Sequence, residues 1–185
     1  MTGGADLRED GAMDSVPDLR LRPFRADDQV EAVRAHEELA ADGFHFLVNW
    51  SPGRPWADLL EQYAAERRGT DLPEGRVPAA FLAAEVGGAL VGRASIRFEL
   101  NEWLTAYGGH VGYGVRPAYR RRGIATEILR QSLVVARAGG VDRVLVTCDD
   151  DNVASAATIE RCGGVLEDLR HEPGQPVPKR RYWID

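Results

Sequence analysis

The sequence predicts a mixed α/β domain in which helices cover a β-sheet, and three observations support this fold class. Two glycines at 87–88 separate β-compatible runs, a pattern typical of an antiparallel hairpin. An apolar stripe with helical period over residues 121–138 predicts a long amphipathic helix, closed by Gly139. The apolar run 144–148 then lacks alternation, as expected of a strand that is covered on both faces and has a parallel neighbour.

The other elements follow in chain order around these three. Residues 1–17 are acidic and glycine-rich without periodicity, so we expect a flexible lead ahead of a single domain over 18–185. A half-buried strand is expected over 19–24, and helices over 28–42 and 56–68. The remaining predicted elements are hairpin strands 81–85 and 89–98, a strand 110–115, a short helix that begins at Asn152, and final strands 165–169 and 181–184.

Alternation in the second hairpin strand predicts which of its faces is buried. The even-numbered positions from Leu90 to Phe98 are apolar or small, whereas Arg93 and Arg97 occupy odd-numbered positions. We therefore expect the even positions to face the core and the odd positions to form a partly charged face.

Composition and charge exclude several classes of function. The chain has 185 residues and a net charge of −6, which argues against nucleic acid as a general partner. No run approaches about 18 apolar residues, so we expect no membrane association. Two cysteines, Cys148 and Cys162, fit a reducing cytoplasm better than a disulfide scaffold. We assign no metal, because the acidic triplet 149–151 is better explained as a capped, solvated turn.

Positive charge is concentrated in one window of this acidic chain. Residues 116–137 contain six arginines and one acidic residue. Within the window, the segment 115–126 lies between a strand and a helix, where unpartnered N–H groups and the helix dipole favour phosphate binding. Gly123 and Ala125 keep the backbone open there, and the arginines add charge. The sequence therefore predicts a diphosphate site at this turn.

The pattern Arg120-x-x-Gly123-x-Ala125 follows a strand and precedes an amphipathic helix, a buried strand and Asn152. In this the chain resembles the GNAT family of N-acetyltransferases, whose acyl-CoA signature is [RQ]-x-x-G-x-[GA]. The resemblance implies a mostly antiparallel central sheet with a parallel, splayed strand pair and flanking helices. It also implies acetyl-CoA or coenzyme A as co-substrate, with pantetheine in the splay. The cofactor-binding residues implied are Tyr113, Gly114, Val115, Arg120, Arg121, Arg122, Gly123, Ile124, Ala125, Thr126, Asn152 and Ser155.

The resemblance further implies an enzyme that moves an acetyl or similar acyl group from acyl-CoA to a primary amine by direct attack. An alkyl amine is protonated at pH 7, so it must lose a proton before it attacks. His110 and Glu102, near the expected reacting end, are the candidate catalytic residues. A backbone N–H near Tyr113 or Gly114 would meet the negative oxygen.

The chain departs from the family pattern in the helix that starts at Asn152. Ile159 stands where many relatives have a tyrosine that protonates the leaving thiolate, and Gly164 replaces an aromatic residue. Water or another acid would then supply the proton. A non-catalytic acyl-CoA-binding or sensor module is therefore one alternative function, and a nucleic-acid binder that uses the arginine window is another.

The sequence does not identify the acceptor. We expect a small-molecule or protein amine, and the acidic surface favours a cationic one. Many relatives form dimers, so the resemblance leaves a homodimer open.

Overall fold

A computed structural model describes residues 18–185, so the predicted flexible lead over 1–17 lies outside the described residues. The strands are β1 Arg20–Pro23, β2 Ala79–Val86, β3 Ala89–Arg97, β4 Val111–Val115, β5 Val144–Asp149, β6 Val165–Arg170 and β7 Lys179–Ile184. The helices are α1 Gln29–Ala40, α2 Trp56–Arg68, α3 Ile124–Ala138 and α4 Val153–Arg161. These elements confirm the predicted mixed α/β class. Over the described range, no helix is both long and apolar enough to cross a membrane.

The seven strands form one sheet in the order β1-β2-β3-β4-β5-β7-β6. The β4–β5 pair is parallel and the other neighbouring pairs are antiparallel. The sheet is covered on both sides, because side chains of a strand alternate between its faces. Helices α1 and α2 pack on one side around Trp56 and Tyr63, which we call the α1–α2 face. Helices α3 and α4 pack on the other side around Ile128 and Ile159, the α3–α4 face.

The prediction for the faces of β3 was wrong at the start of the strand. The pairing steps from Gly92 to Leu90 while β2 advances by one residue, so Val91 is an extra, bulged residue. The bulge turns Leu90 to the α1–α2 face and Val91 to the α3–α4 face. The odd-numbered face carries Arg93 and Arg97 as predicted, and it is also largely buried. Arg93 is 6% exposed, because the connection between α1 and α2 covers it.

Helix α3 begins later than the predicted residue 121. Arg121 and Gly123 have φ angles of 64° and 73°, in the left-handed region that interrupts a helix. The three residues before Ile124 therefore form an open turn that leads into the helix. This conformation is what sets the backbone of the predicted diphosphate site.

The parallel pair β4–β5 separates almost as soon as it forms. Among the described residues, Val111 and Val146 are the one register pair between these strands. One further hydrogen bond joins their starts, from His110 N–H to the Leu145 carbonyl at 2.7 Å. The sheet therefore opens toward the C-terminal ends of β4 and β5, as the resemblance implied.

Candidate active site

A cleft of about 900 Å³ occupies the opening between β4 and β5. The turn before α3, helix α4 and the end of α1 complete its walls. All but one of the predicted cofactor-binding residues line it. They are Tyr113, Gly114, Val115, Arg120, Arg121, Gly123, Ile124, Ala125, Thr126, Asn152 and Ser155, whereas Arg122 is exposed beside the cleft.

The backbone of β4 leaves polar groups directed into the cleft. Arg116 N–H donates to the Val91 carbonyl of β3 at 2.9 Å, which shows that the amide of Arg116 points to the β3 side. In an antiparallel pair, alternate residues direct their amides to opposite sides. The amides of Tyr113 and Val115 therefore face the side of β5, which has already separated from β4. Gly114 has its amide on the β3 side and contributes its open α-carbon instead.

The turn before α3 offers a second set of N–H groups. Intrahelical bonding begins where Glu127 N–H donates to the Gly123 carbonyl at 3.1 Å. Within the described residues, the N–H groups of Ile124, Ala125 and Thr126 therefore have no backbone acceptor. Because they lie at the positive end of a 15-residue helix and line the cleft, they can hold an anion.

The arginines of the charged window divide into different roles. Arg120 is held by Asp42, with Nη2 2.6 Å from the carboxylate, and its Nε donates to the Val115 carbonyl at 3.1 Å. Arg121 and Arg122 form no ion pair among the described residues. Of the three consecutive arginines, the first therefore orders the turn, and the other two remain available for a ligand's phosphates.

Arg116 is a structural residue rather than a phosphate ligand. It is 6% exposed and lies outside the cleft lining. Its guanidinium bonds to Glu31 and Glu38 of α1 at 2.8 Å each, and to the Leu90 carbonyl at 3.0 Å. Hydrogen bonding with Glu38 is the largest cause that raises the pKa of Arg116 above its usual value. Arg116 therefore anchors α1 to the sheet.

Tyr113 brings a hydroxyl group into the cleft from β4. Its Oη lies 2.9 Å from Ser155 Oγ of α4, and either oxygen can be the donor. Burial raises the pKa of Tyr113 to about 12, so the phenol stays protonated at neutral pH. The sequence analysis named Tyr113 for its backbone and missed this hydroxyl pair, because it joins residues 42 positions apart.

The start of α4 agrees with the pattern that suggested the resemblance. Asn152 caps the helix, with its side-chain oxygen accepting from Ser155 N–H at 3.0 Å. Ile159, at the position of the family's tyrosine, is fully buried in the α3–α4 core and does not line the cleft. The acid missing at Ile159 therefore has a possible replacement in Tyr113.

The two predicted catalytic residues lie apart from the cleft lining. Nδ1 of His110 accepts from Leu145 N–H at 2.9 Å. A neutral imidazole that accepts at Nδ1 carries its proton on Nε2, so no lone pair is left for a base. Burial lowers the pKa of His110 to about 4, with the charge of Arg97 acting in the same direction. Glu102 is exposed in the turn before a short π-helix, and the geometry supports neither residue as the base.

Phe44 is a cleft residue that the sequence analysis missed. It follows α1 and lies against β4, where a Cβ on Gly114 would collide with its ring. Gly114 therefore allows the connection between α1 and α2 to close one side of the cleft. No local pattern around Phe44 indicates this contact, since its partner lies 70 positions away in the sequence.

Comparisons with known proteins agree with this geometry. The sequence profile of the Acetyltransferase (GNAT) domain matches residues 18–165, which is more than half of the chain. A search of curated proteins found no match.

Across the described elements, no group of three or more His, Cys, Asp and Glu side chains is arranged to hold a metal ion.

Several solved structures share the fold at low sequence identity. The Microcin C7 self-immunity acetyltransferase MccE, in complex with acetyl-CoA and AMP, has a TM-score of 0.66 and 17% identity, covering 91% of this chain and 92% of its own. RimJ of Mycobacterium smegmatis, in complex with CoA-disulfide, has a TM-score of 0.65 and 22% identity, covering 90% of this chain and 81% of its own. RimL, a ribosomal L7/L12 alpha-N-protein acetyltransferase in complex with coenzyme A, has a TM-score of 0.63 and 19% identity, covering 91% of this chain and 94% of its own.

Proposed function

The chain belongs to the GNAT acetyltransferase family and is an acetyl-CoA-dependent N-acetyltransferase, and from this premise we propose how its own residues bind the cofactor and transfer the acyl group. The observation that carries the proposal is the cleft itself. It joins unpartnered helix N–H groups at one end to the inward-facing amides of Tyr113 and Val115 at the other.

We propose that the diphosphate of the cofactor binds at the start of α3. The N–H groups of residues 124–126 donate to its oxygens, and Arg121 and Arg122 add charge from the rim. Pantetheine then lies along β4, where the Val115 N–H, which β5 no longer pairs, donates to it and leaves the Tyr113 N–H for the thioester end. A pantetheine chain carries two amide groups of its own, so this unpaired strand edge fits it chemically.

Two groups of Tyr113 then assist acyl transfer, and water takes up the amine proton. The Tyr113 N–H donates to the carbonyl oxygen of the thioester, where negative charge develops during attack. The neutral amine nitrogen forms a bond to the carbonyl carbon, the carbon–sulfur bond breaks, and the amine proton passes to water in the open cleft. The Tyr113 hydroxyl gives its proton to the departing thiolate and recovers one from solvent through Ser155.

The acceptor in this proposal is a small-molecule or protein amine. Both carboxylates that line the cleft are already ion-paired, Asp42 with Arg120 and Asp149 with Lys179. The cleft therefore has no free carboxylate among the described residues to attract a cationic acceptor. The homodimer stays a prediction of the resemblance.

Two measurements test the proposed function. Calorimetry should give a dissociation constant for acetyl-CoA, and thiol release over a panel of primary amines should exceed the rate without an amine. Tight binding with no amine-dependent thiol release would favour the alternative of an acyl-CoA-binding module.

The role of Tyr113 is tested by removing its hydroxyl alone. Tyr113→Phe should lower kcat by about tenfold to a hundredfold, as expected for loss of a general acid, with little change in acetyl-CoA affinity. Tyr107→Phe is the matched control, because Tyr107 also carries a bonded hydroxyl but lies outside the cleft lining. Equal rates for the two variants would contradict the proton-donor role.

A further inference from the structure

Two arginines of β3, Arg93 and Arg97, lie on the α1–α2 face of the sheet. The Tyr113 side chain lies on the opposite face. Arg93 is buried and donates to Ser95 Oγ at 2.9 Å, to the Gly112 carbonyl at 3.4 Å and to the His45 carbonyl at 2.9 Å. All three acceptors are neutral oxygens. Its Nε is buried and has no partner among the described residues.

Arg97 lies four residues further along the same face. Among the described residues, its guanidinium makes one hydrogen bond, from Nη1 to the Gly109 carbonyl at 3.1 Å. A guanidinium has five N–H donors, so most of those on Arg97 remain free. Burial lowers the pKa of Arg97 to about 10, and the nearby charge of Arg76 contributes, yet the group stays charged at neutral pH.

A pocket of about 140 Å³ opens beside Arg97, and we call it the arginine pocket. Its lining includes Glu66, Arg76, Phe81, Arg97, Asn101 and Trp103. The volume suits a carboxylate with a few carbon atoms and is too small for the cofactor. Trp103 is 52% exposed, which places it at the rim of the pocket.

The charges around the arginine pocket do not balance. Glu66 is the buried acid of this region, and Arg76 already pairs with it at 2.8 Å. The described residues give no ion pair to Arg93 or Arg97, although Arg93 is buried and Arg97 is partly buried. Buried cations are normally paired with an acid, because loss of hydration is costly. This face therefore has an unmet preference for an anion.

The unpaired arginines lie close to the point where the β4–β5 opening begins. Gly109, which accepts from Arg97, is two residues before Val111, the last residue of β4 in register with β5. A Cβ on Gly112 would lie 3.9 Å from Nη1 of both Arg93 and Arg97. The arginine pocket is thus next to the narrow end of the opening, where the acyl group would arrive.

We propose that the arginine pocket binds a carboxylate of the acceptor, so that the enzyme acetylates amines that also carry a carboxylate group. This proposal rests on the proposed function and specifies the substrate class for the same site. It replaces the expectation of a cationic acceptor, which was drawn from the net charge of the whole surface. Arg97 is then a specificity-determining residue, since it would distinguish a carboxylate from a neutral amide.

The test compares matched acceptors that differ in one charge. Glycine, β-alanine and γ-aminobutyrate are each assayed against the corresponding carboxamide, which varies the distance from amine to carboxylate by one methylene at a time. For the best spacing, kcat/KM should be at least about tenfold higher for the carboxylate, as expected for a charge-assisted hydrogen bond. A ratio near one at every spacing would overturn the proposal.

Variants of Arg97 separate recognition from general loss of activity. Arg97→Gln should bring the carboxylate-to-carboxamide ratio to about one while leaving the carboxamide rate and the acetyl-CoA affinity near wild type. Arg97→Lys should restore part of the preference. The matched control is Arg67→Gln, which removes an exposed arginine of α2 and should keep the wild-type ratio. An unchanged ratio in Arg97→Gln would contradict the assignment.

A binding measurement keeps the proposal testable without turnover. Trp103 lines the pocket, so titration with β-alanine should give a saturable change in intrinsic fluorescence, and this change should be absent in Trp103→Phe. Titration with β-alaninamide should give no saturable change. Titration of Arg97→Gln with β-alanine should also show no saturation. If no amine supports thiol release, the proposed function fails, and this titration still decides whether the pocket binds a carboxylate. Equal responses to β-alanine and β-alaninamide would overturn the subsite.

Discussion

The cofactor cleft and the arginine pocket are built in different ways on different parts of the same sheet. The cleft presents backbone N–H groups, and the turn that provides many of them is a short continuous segment between β4 and α3. The arginine pocket combines side chains from α2, β2, β3 and the connections around them. A backbone site of this kind can serve one cofactor across a whole family, whereas a side-chain site can change with the acceptor. The difference predicts that changes in side chains alter the choice of acceptor more readily than the choice of cofactor.

The largest effect is expected from blocking the backbone site. Gly123→Trp places a large side chain at the left-handed residue before α3, where the diphosphate would bind. Loss of several charge-assisted hydrogen bonds should weaken acetyl-CoA binding by about a thousandfold in calorimetry. The fluorescence response of the arginine pocket to β-alanine should stay unchanged, because the two sites use different residues.

The matched control for this change is Gly140→Trp at the other end of α3. Gly140 also has a positive φ, 91°, and a Cβ there would meet no atom within 4 Å. The control therefore adds similar backbone strain outside the cleft. If both variants lost cofactor binding equally, the effect would come from strain and the diphosphate assignment would fail.

A smaller effect should separate two arginines of the charged window. Arg116→Gln removes a buried cation from Glu31 and Glu38, and should lower the free energy of unfolding in urea by about 3 kcal/mol. Acetyl-CoA affinity of the folded fraction should remain near wild type. Arg121→Gln should have the opposite effects: the affinity for acetyl-CoA should fall by about fivefold, and the free energy of unfolding should change little. Cofactor loss in Arg116→Gln without destabilisation would contradict the structural role of Arg116.

The smallest effect concerns pH. The hydrogen bond from Arg116 is the largest cause that lowers the pKa of Glu38 below its usual value of 4.5. A depressed carboxyl pKa stabilises the fold at pH values above the unfolded pKa, and this contribution disappears as pH falls through the folded pKa. The melting temperature of wild type should therefore fall more between pH 7 and pH 3 than that of Glu38→Gln, by about 2 °C. Glu37→Gln should follow wild type, and an equal fall for Glu38→Gln would refute the linkage.

The cleft side was more predictable from the sequence than the acceptor side, for a physical reason. The turn before α3, the amphipathic helix and the cap at Asn152 are local patterns, because helix starts depend on residues a few positions apart. Helix α2 has the predicted bounds, and the hairpin follows from its two glycines. The reversed faces of Leu90 and Val91 and the burial of Arg93 were missed, because the bulge at Val91 and the covering segment at His45 are set by tertiary contacts.

The catalytic candidates illustrate the same limit. His110 was selected for its usual pKa and its position in the chain, yet the state of an imidazole depends on the partners that the fold brings to each nitrogen. The hydrogen bond between the Tyr113 and Ser155 hydroxyls could not be predicted either, because α3 and β5 separate β4 from α4 in the chain and only the fold brings the two side chains together. The sequence could identify these side chains but not their hydrogen-bond partners.

The early separation of β4 and β5 has a consequence for the whole sheet. Four strands lie on one side of the separation and three on the other, and in the described structure the backbone hydrogen bonds between β4 and β5 are confined to the start of β4. Elsewhere the halves are joined by side chains, through α3 and α4, which pack across both, and through Thr147, which donates to the Tyr107 carbonyl. A ligand that bonds along β4 within the opening adds polar links where the ladder stops. Bound as proposed, the cosubstrate would also be a temporary part of the architecture, because it would bridge a sheet that the polypeptide leaves divided.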